Sequence, residues 1–102
     1  MERRPNIVFI QNDHQAYYHW DWDEKNRPKR PNFEKLASEG AKFTNAYCAS
    51  PLCGPTRRTM LTGLYAHTHG QYHNYTDPEY VHEVYLDTLT ENGYQNYYFN
   101  DL

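Results

Sequence analysis

The sequence comprises 102 residues with a formal net charge of −3 and an aromatic content of 17%. It has no block of like charges, which argues against a nucleic-acid surface, and no apolar run approaches the roughly 20 residues of a membrane-spanning helix. Aromatic side chains, mostly tyrosines, are too frequent for a disordered chain.

The N-terminal part predicts a strand and a long loop. Residues 6–11 (NIVFIQ) form a short β-branched and aromatic run, which is typical of a buried strand in a parallel sheet. A polar loop with many aromatic residues follows, up to residue 30. Its aromatic residues leave two interpretations open, a wall for a sugar or aryl group and packing within the loop: Tyr17, Tyr18, Trp20 and Trp22.

The next elements are predicted from proline, glycine and apolar spacing. Residues 31–40 (PNFEKLASEG) begin with proline and end with glycine, which predicts a short helix with Phe33, Leu36 and Ala37 on one face. Residues 41–48 are rich in strand-forming side chains and predict a second strand.

The remainder repeats this alternation. A helix is predicted to begin near Pro55 and to end at Gly63, residues 85–93 predict another helix, and residues 94–99 predict a third strand. Strands alternating with helices indicate an α/β fold. Because the sequence ends directly after the last predicted strand, we interpret residues 1–102 as the N-terminal, incomplete portion of a larger α/β domain.

The cysteines and the N-terminus bear on the cellular compartment. Cys48 and Cys53 could form a disulfide that closes a very short loop, but two cysteines in a protein without a signal peptide are more often free thiols, and free thiols are predicted here. The N-terminus lacks the long apolar stretch and cleavage site of a signal peptide, which predicts a cytoplasmic protein unless an export signal lies outside this sequence.

The stretch PLCGPTRRTMLTG, residues 51–63, places a thiol at the predicted start of a helix. Backbone N–H groups and the helix dipole favour anions at that end, and Arg57 follows Cys53 by about one turn. Two interpretations follow from the residues alone. One is an anion pocket with a nucleophile, and the other is a helix start with a buried cysteine and solvent-exposed arginines.

The same stretch resembles the signature of the type I sulfatases. That signature is C-x-P-x-R and, after two further residues, two apolar residues, a small residue and glycine. Residues 53–63 match every specified position. Residues 4–13 (RPNIVFIQND), residues 30–53 and the TLTENGY segment also resemble family segments. The resemblance covers roughly residues 4–98 and implies the N-terminal part of an alkaline-phosphatase-like mixed sheet with helices on both faces.

The resemblance also implies a reaction, the hydrolysis of a sulfate ester. Cys53 would be converted to Cα-formylglycine, whose hydrate attacks sulfur, and Arg57 would hold that group and offset charge on the sulfate. Thr56 fills a position read by the maturing enzyme, whereas Arg58 is expected on the helix exterior. The implied partners are a formylglycine-generating or sulfatase-maturing enzyme and a sulfated sugar or aryl sulfate, without nucleic acid or membrane.

A divalent metal ion, calcium by resemblance, is implied at the end of the first strand. Asp13 occupies the family's metal position, and Cys53, as formylglycine, is a further ligand. His14 stands where the family usually has aspartate, and histidine is a poor calcium ligand. His14 is therefore assigned one of two roles. It binds the metal, in which case the ion is softer than calcium, or it contacts the substrate.

Three further histidines could bind a metal ion, and the last residues of the sequence differ from the family pattern. His67, His69 and His73 suggest zinc by their spacing, but without a second ligand pair a structural or substrate-lining role is preferred. Residues 99–102 stand where the family has a catalytic lysine and histidine, so the 102-residue chain is expected to be inactive alone. Two alternatives stay open: a phosphonate or phosphate monoester hydrolase of the same superfamily, and a non-catalytic binding remnant.

Overall fold

The computed structural model describes residues 4–16, 28–76 and 81–99. The chain divides into two units, residues 1–44 and residues 45–102. The predicted aromatic wall, Tyr17 to Trp22, lies outside the described residues, as do residues 100–102.

The first unit contains helix α1, Pro31–Glu39. Pro31 stands at the first helical position, where a missing N–H costs nothing, and Glu34 N–H donates to Arg30 O at 3.0 Å. The predicted helix is confirmed. Gly40, which follows it, has a φ of −132°, a value that any residue can adopt, so the backbone conformation does not require glycine at this position. The predicted apolar face buries nothing, since α1 contains no buried residue.

The second unit contains α2 (Cys53–Thr62), α3 (Ala66–His69) and α4 (Tyr85–Glu91). α2 packs against α3 and, less extensively, against α4. The unit's fully buried side chains are those of His69 and Pro55, and no hydrophobic residue of a described range counts as buried. The packing of α2 on α3 is thus centred on a histidine and a proline.

The start of α2 differs from the prediction by two residues. Cys53 is the first helical residue and Leu52 is the N-cap, so Pro55 is the third helical residue and not the first. Proline is tolerated there because the first N–H groups of a helix have no intrahelical acceptor. The predicted end is confirmed: Gly63 has a φ of 71°, and its N–H donates to Thr59 O at 2.8 Å.

Two short helices complete the unit. α3 was not predicted as a helix, and it closes at Gly70, whose N–H donates to Ala66 O at 2.9 Å. α4 confirms the predicted helix and ends at Glu91, two residues early. Its first turn is closed by Asp87, whose carboxylate accepts from Val84 N–H at 3.1 Å.

The predicted sheet is not confirmed. Residues 6–11, 41–48 and 94–99 form no strand where the structure describes them, and the apolar side chains of residues 7–10 are 61% to 81% exposed. A strand forms only by hydrogen bonding to a neighbouring strand, so local composition alone does not produce one. Residues 6–11 are exposed in this structure, so their expected place in a buried strand is unconfirmed.

No helix within residues 4–16, 28–76 and 81–99 has the length and apolar character needed to cross a membrane.

Candidate functional site

The first turn of α2 presents Cys53 to solvent. The N-cap residue Leu52 has extended backbone, and Cys53 follows as an exposed free thiol at the first helical position. Cys48 is also a free, exposed thiol, in agreement with the prediction that the two cysteines are unpaired. The exposed thiol rules out the interpretation in which Cys53 is a buried cysteine at a helix start.

Hydrogen bonds from outside the helix hold this turn. Leu52 makes no side-chain cap, and Gly54 N–H instead donates to Asn74 Oδ1 at 2.9 Å. The Thr56 hydroxyl donates to the carbonyl oxygen of Ser50, upstream of the helix. Thr56 thus has a structural contact in addition to the maturation role that the resemblance implies.

His69 lies fully buried under α2. Its Nδ1 accepts from Gln71 N–H at 3.1 Å, so Nδ1 carries no proton, and its Nε2–H donates to Thr59 Oγ1 at 3.0 Å. Burial, and then the charge of Arg58, lower the pKa of His69 below its ordinary value. A neutral imidazole with both nitrogens bonded therefore joins α2 to the turn that follows α3.

The two arginines of α2 have different surroundings. Arg57 is half-buried and follows Cys53 by four residues, about one helical turn. Arg58 is also half-buried and acts electrostatically on His69, so its predicted position on the helix exterior is wrong. The physical reason is that α3, which contains His69, packs against α2.

The predicted metal ligands Asp13 and His14 belong to the first unit and are exposed in a bend. His14 has a φ of 55°, a left-handed conformation that histidine tolerates better than most side chains. Where the structure describes the chain, no three His, Cys, Asp or Glu residues are grouped as metal ligands. Asp13 and His14 thus lie in the same bend. The role of Asp13, His14 and Cys53 as metal ligands stays a prediction.

The other histidines have separate environments. The ring of His67 stacks on Tyr65 with centroids 5.8 Å apart and planes 8° from parallel. His73 is exposed, and its carbonyl oxygen accepts from Thr76 N–H at 3.3 Å. The structure thus gives His69 a packing role and leaves His67 and His73 at the surface.

A groove of about 530 Å³ lies beside α2 and is lined in part by residues of that helix. It is lined by residues 46–49, by Thr56, Thr59 and Met60, and by residues 63–65. Neither Cys53 nor Arg57 lines it, so the groove is separate from the position of the nucleophile.

Sequence reasoning missed Asn74 and Thr59. Asn74 bonds to a residue 20 positions away, and Thr59 bonds to one 10 positions away. Neither belongs to the signature pattern, and no local spacing marks either as a partner of α2. Only the fold of the segment after α2 brings them to it.

Comparison with known proteins identifies the family. The sulfatase family model matches residues 5–101. An N-acetylglucosamine-6-O-sulfatase of Bacteroides thetaiotaomicron is 31% identical over 91% of this chain and 17% of its own length. An extracellular sulfatase SULF-1 homolog of Drosophila melanogaster is 35% identical over 96% of this chain and 9% of its own length.

This chain belongs to the sulfatase family. A sulfatase of Formosa agariphila is also similar, at 39% identity over 68% of this chain. The chain spans less than a fifth of the length of these relatives. No solved structure matches it.

The relatives overturn the predicted cytoplasmic location. The Drosophila melanogaster relative is named an extracellular sulfatase, and it matches almost the whole of this chain. The prediction relied on the absence of a leader, and an absence in a chain that covers so little of its relatives carries no information about compartment.

Proposed function

We propose that this chain carries the nucleophile part of the active site of a sulfuric ester hydrolase. The observation that carries the proposal is the free, exposed Cys53 thiol at the first position of a helix whose residues 53–63 match the sulfatase signature. The family model over residues 5–101 supports the same reaction class. A maturing enzyme as partner is part of the proposal.

Formylglycine made from Cys53 would supply a geminal diol as the nucleophile toward sulfur. The residues around it have separate tasks. The positive end of the α2 dipole lies at residue 53 and favours an anion there, whereas the N–H groups of Gly54 and Thr56 are already bonded within the protein and Pro55 has none. Arg57, one turn on, is proposed to bind sulfate oxygens through its guanidinium, which forms two parallel hydrogen bonds where lysine forms one.

The proposed substrate is a sulfated sugar, because a similar protein is named an N-acetylglucosamine-6-O-sulfatase. The preference is tested by comparing kcat/KM for N-acetylglucosamine 6-sulfate, an aryl sulfate and a phosphate monoester on the full-length protein. A higher value for the phosphate ester would contradict the proposed substrate class.

Asp13 is proposed as one ligand of a divalent ion, with calcium as the expected ion and His14 beside it. A calcium ion takes six to eight oxygen ligands. The described residues group no three ligands, so they do not complete such a site, and no catalytic step is assigned to the ion. Asp13→Asn should weaken calcium binding measured by calorimetry, and unchanged affinity would contradict this role.

We also propose that the sheet predicted at residues 6–11, 41–48 and 94–99 forms in the full-length protein. The exposed apolar side chains of residues 7–10 support it, because such a run is stable in water only when another surface covers it. Fast amide exchange across residues 6–11 of the full-length protein would contradict it.

The nucleophile is tested by paired cysteine variants. Cys53→Ala should abolish sulfate ester hydrolysis and leave the fold intact, whereas Cys48→Ala, the matched control for an exposed free thiol, should keep activity. Mass spectrometry of the wild-type residue-53 peptide should show the thiol replaced by an aldehyde. Wild-type rates from Cys53→Ala would end the proposal, and an unmodified thiol in a host that matures other sulfatases would favour a non-catalytic remnant.

A further inference from the structure

The segment of residues 71–74, which leads into a turn at residues 73–76, lies directly against the first turn of α2. Asn74 Oδ1 accepts from Gly54 N–H at 2.9 Å. A Cβ atom at Gly54 would lie 2.8 Å from Gln71 Nε2 and 3.1 Å from Asn74 Cα. The Gln71 side chain can swing away, but Asn74 Cα is backbone. A side chain at position 54, which the signature pattern leaves open, would therefore require Gln71 to swing away and the backbone at Asn74 to shift by a few tenths of an ångström.

Asn74 also takes the place of a local helix cap. A cap side chain normally accepts from the second or third N–H of the helix, and the N-cap residue Leu52 has no side-chain acceptor. Pro55 has no N–H, and Thr56 N–H donates to Leu52 O at 3.0 Å. Gly54 N–H is the second of the helix, and Asn74 accepts from it across 20 residues of chain.

The segment of residues 71–74 is linked to α2 at a second point by hydrogen bonds through His69. Gln71 N–H donates to His69 Nδ1 at 3.1 Å, and His69 Nε2–H donates to Thr59 Oγ1 at 3.0 Å. His69 is fully buried, so these bonds are shielded from water. The segment of residues 71–74 thus bonds directly to α2 next to Cys53 and is linked through His69 to the middle of the helix.

We infer that Asn74 is a positioning residue that holds the backbone beside Cys53 and so orients the group formed there toward the substrate. The inference rests on the proposed function, since it assigns Asn74 to the same nucleophile. Asn74 acts through the Gly54 amide, and a Cβ atom at position 54 would crowd that contact, since it would lie 3.1 Å from Asn74 Oδ1.

The test measures amide exchange and kinetics separately in the full-length protein. In Asn74→Ala, Gly54 N–H should exchange about threefold to tenfold faster, the range expected for one lost hydrogen bond. At equal formylglycine content, kcat toward an aryl sulfate should fall roughly tenfold to a hundredfold while KM changes by less than about threefold. Asn74→Asp keeps an acceptor oxygen and should retain slow exchange at Gly54.

Paired variants and a control complete the test. Gly54→Ala should lower kcat in the wild type but far less in the Asn74→Ala background, because both changes break the same contact. Asn96→Ala removes an amide that bonds Leu86 O in α4 at 2.9 Å, a bond that involves no residue of α2, and should leave kcat and Gly54 exchange unchanged. Unchanged Gly54 exchange in Asn74→Ala, or fully additive effects with Gly54→Ala, would overturn the inference. An inactive wild type with the exchange effect present would instead count against the proposed function.

Discussion

Arg57 and Arg58 are adjacent in sequence but have different roles. Both are half-buried, but Arg58 acts on the buried imidazole of His69, whereas Arg57 occupies the arginine position of the C-x-P-x-R signature. The residue type matters at both positions because guanidinium and ammonium groups differ in geometry even at equal charge. Substitution by lysine therefore separates the role of charge from that of the guanidinium fork.

Arg57→Lys should lower kcat/KM for sulfate esters about tenfold to a hundredfold, the range for losing one charge-assisted hydrogen bond to an anion. Arg58→Lys is the matched control, and it should change kcat/KM by less than about threefold. Steady-state kinetics at equal formylglycine content measure both. A larger effect at Arg58 than at Arg57 would reverse the two assignments.

At the scale of elements, α2 and α3 are joined through His69. Because burial and Arg58 lower the pKa of His69 in the folded protein, the unfolded chain takes up its proton at a higher pH than the folded protein does. The free energy of unfolding should therefore fall as pH drops below about 6.5, the ordinary pKa of histidine. The fall continues until the pH reaches the lowered pKa of the folded state.

This pH dependence is measurable from denaturant midpoints of the full-length protein between about pH 7.5 and pH 5.5, on either side of the ordinary histidine pKa. His69→Gln removes the titrating group and should reduce the slope in this window, even though it also lowers stability at neutral pH. An identical slope in the variant would show that His69 is not the group responsible.

At the scale of the whole chain, the described residues bury no hydrophobic side chain. Phe43 is 81% exposed and Phe99 is 91% exposed, and the run at residues 7–10 is exposed as well. Apolar burial is the main favourable term in folding, so these exposed side chains predict weak cooperativity for the 102-residue chain in isolation.

The isolated chain should bind a hydrophobic dye, unfold without a cooperative transition and tend to aggregate. It should also lack detectable aryl sulfate hydrolysis when the aldehyde is present at residue 53, because the described residues supply no complete metal site. Dye fluorescence, thermal melts and an assay with calcium test these points. Cooperative unfolding of a monomer with turnover above background would contradict them.

Local signals in the sequence were sufficient for α1, α2, α4 and the family, but they did not predict α3. Pro31 predicts the start of α1 and Gly63 the end of α2, because the missing N–H of proline and the left-handed φ of glycine act within one turn of the chain. The signature at residues 53–63 is equally local, and the sulfatase match over residues 5–101 agrees with it. The strand predictions used local composition too, but a strand also requires a partner that composition does not provide.

The tertiary structure alone decided the surroundings of Cys53. The Asn74–Gly54 bond and the burial of His69 under α2 join residues 10 to 20 positions apart, so no periodic pattern in the sequence encodes them. The tight space at position 54 has the same origin, because it comes from the close approach of Asn74 Cα and not from the backbone conformation of position 54 itself. Sequence patterns record what each residue does within its own turn of chain, whereas contacts of this kind exist only after the chain has folded back on itself.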